Sequence, residues 1–280
     1  MSQFLDDLKK EIIRQQANIF AIAEYCDGKL EALQLVKTNP CQDIYSVAKA
    51  YVVTAIGMLV DRGLLSTEEC VTEILKQECP AGYQKIWDSI TLEMLLLHKV
   101  PLPKNFLDID VFDANDFGED YLSHILNAPV DDRLPDFRYT DAAYYLLSRI
   151  VENRAGMGTD NFLWKNLFLP TGCREAAWSH CPMGHVMGAT GLYIRAEDVA
   201  KLGAVYLNDG VWEGKRILSK TWVDTVFEKG YELKPQAGGC SFGKGGIRGQ
   251  MLTIVPSKKR VVAYLGCGDY SFVDFIAQYQ

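Results

Sequence analysis

The stretch Tyr45-Ser46-Val47-Ala48-Lys49-Ala50-Tyr51-Val52-Val53-Thr54-Ala55-Ile56-Gly57-Met58-Leu59-Val60-Asp61-Arg62-Gly63 decides how this chain is read. From Val47 to Val60 it is apolar almost all round, so the spacing predicts a helix buried on every side rather than one with a wet face. Gly63 is placed to end that helix in a left-handed cap. Ser46 and Lys49 stand at its entrance, three residues apart and therefore on one face. A polar pair at the mouth of a buried helix costs free energy unless the site uses it. Ser-x-x-Lys supplies a hydroxyl nucleophile with an amine close enough to take its proton. The helix N-terminus then favours the negative charge that develops.

The same spacing recurs at Ser241-Phe242-Gly243-Lys244. Context separates the two, because Ser241 lies in a glycine-dense run followed by strand-like residues. The plainer reading of Ser46 is an N-cap serine with Lys49 carrying its ammonium out to solvent.

Working outward, Phe4, Leu5, Leu8, Ile12 and Ile13 repeat at helical spacing. Asp27-Gly28 then separates two strand-like runs, Asn18–Cys26 and Lys29–Val36, which is a hairpin signal because both turn residues need positive φ. Downstream, Ser66-Thr67-Glu68-Glu69 reads as a capping box opening a helix through Ile74 and Leu75. Ile90–His98 reads as a short apolar helix. Residues 101–120 turn irregular and acidic, carrying Asp108, Asp110, Asp113, Asp116, Glu119 and Asp120; without the glycine and glutamate placing of a calcium loop they read as a solvated linker. Helical patterns return at Asp141–Asn153, Phe162–Phe168, from Glu197, and at Trp222–Phe227. Gln250–Val255 and Arg260–Leu265 form a second hairpin, and Ser271–Tyr279 a last helix. Strands at both ends with helices between imply an α+β fold whose two ends share one antiparallel sheet, with a mostly helical middle lobe.

With 280 residues, 48% of them hydrophobic, the chain can bury a sizeable core. A net charge of -7 and a pI near 5.2 argue against a nucleic-acid or anionic-membrane surface. The acidic, amphipathic start is no secretory signal, and the Val47–Val60 run is too short to span a bilayer. Eight cysteines without a Cys-x-x-Cys pair point to buried free thiols and a cytoplasmic setting. His180, Cys181 and His185 cluster without a second ligand pair, so no metal and no cofactor is expected. Gly-x-Ser-x-Gly occurs at Gly239-Cys240-Ser241-Phe242-Gly243, but in the glycine-dense run followed by strand-like residues, without the strand-to-helix turn a nucleophile elbow needs.

The ordered motifs resemble the serine β-lactamase and penicillin-binding-protein superfamily, in its class C branch, which also holds DD-peptidases and esterases. Tyr45-Ser46-Val47-Ala48-Lys49 is similar to the Ser-x-x-Lys motif, and Ile90–His98 to a segment ending Leu-Leu-x-His. Tyr139-Thr140-Asp141 resembles the Tyr-x-Asn motif, and Lys244-Gly245-Gly246 the Lys-Thr-Gly motif on the edge strand of the site. Leu167–Cys173 and Ala189–Leu192 resemble two further landmarks.

The resemblance implies one β-lactamase-like catalytic domain over residues 1–280, with an α/β lobe at about 1–45 and 195–280 and a helical lobe at about 46–194. It implies acyl transfer, Ser46 attacking a carbonyl while Lys49 and Tyr139 share the proton traffic. The N–H groups of Ser46 and Ile247 would form the oxyanion hole, and Lys244 would draw a substrate carboxylate. Gly245 and Gly246 would let substrate approach the backbone. The implied substrate is a small molecule or peptide, presented as an ester, amide, D-amino-acid peptide or β-lactam; the oligomeric state stays open. Two departures stand out: Asp141 replaces Asn, and Gly245 replaces Thr. Asp141 leaves a catalytically impaired member that binds a peptide, cell-wall fragment or protein partner as the competing expectation.

Overall fold

Asp27 and Gly28 both adopt positive φ, 47° and 82°, and so close a two-residue turn between β1 (Ile19–Cys26) and β2 (Lys29–Gln34). At the far end of the chain, Pro256–Lys258 and a left-handed Lys259 turn β5 (Met251–Val255) into β6 (Arg260–Gly266). β1 pairs antiparallel with β6, from Ile19 opposite Gly266 to Cys26 opposite Arg260. In this computed structural model, which describes residues 1–131 and 133–280, the two chain ends therefore share one sheet. Two more strands complete it, β3 (Lys234–Gln236) and β4 (Ser241–Gly245), in the order β2-β1-β6-β5-β4-β3.

The chain divides into two compact units. The first comprises Met1–Ala50, Asn166–Ala177 and Leu192–Gln280. One face of its sheet is covered by α1 (Gln3–Arg14) and the C-terminal helix Val273–Gln278. Phe4, Leu5, Leu8 and Ile12 pack there with Ile22, Val262, Tyr264 and Ile276. Ile13, expected on that face, is 63% exposed, because a step of about 100° from Ile12 turns it to solvent. Against the sheet also lies the helix Ala196–Leu207. Gly203 allows this approach: a Cβ there would stand 2.5 Å from Val261 Cγ1. Asn166–Ala177, expected in the helical lobe, clusters with the sheet instead, since Lys201 Nζ donates to Gly172 O (2.9 Å) and Arg195 pairs with Glu175 (2.8 Å).

The second unit, Tyr51–Lys165 and Trp178–Gly191, is built around α3 (Asp141–Ala155), buried from Asp141 through Val151 and packed against the short helix Leu92–Leu96. The capping box forms, Glu69 Oε1 accepting from Ser66 N (2.7 Å) and Ser66 Oγ from Glu68 N (3.3 Å), but it closes a turn. The helix beyond it is only Val71–Ile74. Among the described residues no helix is long and apolar enough to cross a membrane, and all eight cysteines are free thiols.

Candidate active site

In the first unit the chain reaches Ser46 through a strained turn. Tyr45, a non-glycine residue, takes φ 46°, and Tyr45–Val47 forms a single 3-10 turn before the α-helix proper, α2 (Ala48–Asp61), begins. The turn is tied down from three sides: Asp43 Oδ1 accepts from Tyr45 N (2.8 Å), Leu192 O from Ile44 N (2.9 Å), and Ile44 O from Val47 N (3.1 Å). Ser46 is half-buried, and Lys49 Nζ lies 3.1 Å from its Oγ. Lys49 is 0% exposed, which rules out the reading in which its ammonium reaches solvent. A buried amine held this close to a hydroxyl is the geometry of an activated nucleophile.

β4 ends against this turn. Gly246 follows it, and a Cβ there would stand 2.7 Å from Ile44 O and 3.2 Å from Tyr45 Cβ. Gly246 is therefore required by the fold itself. At Gly245 the nearest obstacle is only the end of Met251 (3.1 Å), a flexible side chain. Ile247 follows, 59% exposed. β4 is second from the sheet edge, not the edge strand that was expected. The β3–β4 ladder, however, reaches only Gly243, opposite Lys234, so Lys244 and Gly245 extend past it. Lys244 pairs with the carboxylate of Glu232, whose side chain is 1% exposed. The cation expected to draw a substrate carboxylate thus already holds a buried counter-ion.

Tyr139 and Asp141 belong to the second unit, where each is held by its own neighbours. The Tyr139 ring stacks on the imidazole of His98, centroids 4.7 Å apart and 28° from parallel. His98 is 1% exposed, Arg138 N donates to its carbonyl (2.9 Å), and its Nδ1 accepts from Thr140 N (3.3 Å). Asp141, 2% exposed, is the first residue of α3, where a carboxylate gains from the helix N-terminus. Oxygens of Asp108, Asp110 and Asp141 lie within 4.8 Å of one another, and Thr190 Oγ1 donates to Asp110 Oδ2 (2.5 Å). The reading of residues 101–120 as a solvated run holds for Asp113, Asp116, Glu119 and Asp120, which are exposed, and fails at Asp108 and Asp110. Asp108 is buried because Tyr139 O accepts from Asn105 N (2.9 Å) and Phe106 O from Ala142 N (3.1 Å), which fold the segment onto the start of α3.

The profile of the Beta-lactamase family matches residues 20–279, nearly the whole chain. The chain belongs to the Beta-lactamase family. Family membership makes it a relative of serine hydrolases, and solved structures agree on the fold: a class C β-lactamase superposes with a TM-score of 0.69 at 13% identity, over 98% of this chain and 92% of that one. Among curated relatives, penicillin-binding protein 4 of Amycolatopsis lactamdurans is 27% identical over 317 aligned residues, covering 89% of this chain and 80% of that protein. The 6-aminohexanoate-dimer hydrolase of Paenarthrobacter ureafaciens is 23% identical over 218 residues, covering 67% of this chain and 50% of that protein. Two groups of this Beta-lactamase family member escaped the sequence. Glu232 carries no motif and meets Lys244 only through the fold, and Asp108 and Asp110 were masked by the acidic residues around them.

Proposed function

We propose that this chain is a serine hydrolase acting by acyl transfer through Ser46 on an ester, amide, D-amino-acid peptide or β-lactam-like substrate. The observation that carries the reading is the 3.1 Å approach of the fully buried Lys49 Nζ, which as a neutral amine can take a proton, to Ser46 Oγ. In this reading Ser46 Oγ attacks the carbonyl carbon and its proton passes to Lys49, with Tyr139 sharing the transfer. The N–H groups of Ser46 and Ile247 stabilise the oxyanion, and collapse expels the leaving group with a proton returned to it. Water then hydrolyses the acyl-enzyme by the same route. Gly245 and Gly246 supply backbone without side chains beside the scissile group, and Asp141 stands in the sequence where the family motif has asparagine. The names of the relatives, a penicillin-binding protein and a 6-aminohexanoate-dimer hydrolase, support a carbonyl substrate without choosing among these classes.

Covalent labelling tests this directly. A fluorophosphonate should add once, read by intact mass, with peptide mapping placing the adduct on Ser46 and Ser46→Ala abolishing it. An adduct on Ser241, or undiminished labelling of Ser46→Ala, overturns the reading.

A further inference from the structure

Helix Lys220–Lys229 ends at a left-handed Gly230 (φ 69°), and the chain then passes through Tyr231, Glu232 and Leu233 into β3. All three are buried, and Glu232 is itself left-handed, φ 60°. Leu233 N donates to Tyr231 O (2.7 Å) and Lys234 N to Glu232 O (3.1 Å), which tightens the bend around Glu232. Continuing the β3–β4 register past Lys234 and Gly243 would set Glu232 opposite Gly245; the bend at Glu232 leaves that stretch of β4 open. A non-glycine residue at positive φ and a carboxylate removed from water are two separate costs, each tolerated only where the surroundings compensate. Lys244 supplies the compensation for the second: its ammonium pairs with Glu232, the two side chains being 13% and 1% exposed.

Lys244 stands two residues before Gly246, the glycine that abuts the Ser46 turn, so its charge contributes to the field where a substrate would lie. A lysine with a buried counter-ion still donates hydrogen bonds but presents a neutral pair at long range. Lys234 is a second cation of this corner; its side chain is exposed, yet partial desolvation holds its amine below the usual lysine range, with Glu232 opposing and Lys244 adding to the shift. Lys234 and Arg248, the latter 5.9 Å from the centre of the Tyr45 ring, are exposed cations whose charge solvent and salt screen, whereas Lys244 is half-buried and its charge is met by Glu232.

We propose that Glu232 is a specificity-determining residue: by holding Lys244 in a buried ion pair, it makes the acyl-transfer site one for uncharged esters and amides and removes the preference for a carboxylate-bearing substrate. The inference rests on the acyl-transfer reading of Ser46 given above and narrows its substrate class.

Two esters that differ only in charge test it, mono-4-nitrophenyl glutarate and its methyl ester, hydrolysed by wild type, Glu232→Gln and Ser46→Ala. For wild type, the ratio of kcat/KM for the anionic to the uncharged ester should be at or below one. It should stay flat between about 0.05 and about 0.5 M salt, as expected when no net charge faces the substrate. Glu232→Gln should raise that ratio roughly tenfold at low salt, the rise fading at high salt as an uncovered charge is screened. A wild-type preference for the anion of tenfold or more that weakens with salt overturns the inference even if Glu232→Gln does not fold. An unchanged ratio in a folded Glu232→Gln variant overturns it as well. Loss of Ser46-dependent turnover on both esters sinks the acyl-transfer reading and the inference together, whereas Ser46-dependent turnover with an unchanged ratio sinks the inference alone.

Discussion

Two segments of the first unit share the spacing Ser-x-x-Lys, and their fates differ completely. At the mouth of α2, three residues of turn and helix bring Lys49 Nζ to 3.1 Å from Ser46 Oγ, with the serine half-buried and the lysine fully so. On β4 the same spacing is an odd number of strand steps, which puts the two side chains on opposite faces of the sheet. Ser241 is accordingly 0% exposed, its Oγ without a hydrogen-bond partner among the described residues, while Lys244 turns to Glu232. Spacing selects chemistry only through the period of the element that carries it. Helical geometry brings the hydroxyl and the amine together; strand geometry parts them into a packing residue and an ion pair.

The comparison breaks most readily at the lysines. Lys49→Met should keep the buried helix folded while lowering the rate of Ser46 acylation about a thousandfold, within the range usual for losing a positioned base. Stopped-flow labelling or ester hydrolysis reads this, and a variant that retains a tenth of wild-type rate would show that Lys49 is a packing group like Ser241. Lys244→Met should act on stability instead, costing about 3 kcal/mol because Glu232 is left buried without its counter-ion. Urea unfolding measures the loss, and adding Glu232→Gln should recover most of it; an unshifted midpoint for Lys244→Met would mean the pair contributes nothing. The smallest effect belongs to the second serine. Ser241→Ala removes a buried hydroxyl that has no partner among the described residues, and should stabilise by about 1 kcal/mol without touching labelling of Ser46. Thermal melting decides it, since a clear drop in Tm would mean that the hydroxyl is satisfied after all.

Much of the scaffold was legible because it rests on local rules. The Asp27-Gly28 turn, the apolar run of α2 and its left-handed stop at Gly63 (φ 68°) each follow from backbone preference and periodicity. Where tertiary contacts intervene, the local rules misplace details. Ser46 sits in a 3-10 turn rather than in the helix itself, since Tyr45 is held at positive φ by Asp43 and by the ties of Ile44 to Leu192 and Val47. Gly246 looked like an allowance for substrate, and the Ile44 carbonyl turns out to demand it as well. Asp108 looked like one of six solvated acids and is buried on the start of α3.

What the sequence by itself determined is the pair Ser46 and Lys49, because three residues on a helical turn fix their neighbourhood whatever the rest of the chain does. It also determined that both chain ends are strands able to share a sheet. Only the tertiary structure decided the electrostatics around them. Glu232 lies twelve residues before Lys244 with no periodicity linking the two, and they meet because β3 runs back along β4 and stops one residue short of Lys244. Asp108 and Asp110 meet Asp141 across more than thirty residues of chain in the same way. Charge acts through space rather than along the chain, so its partners appear only once the backbone has folded.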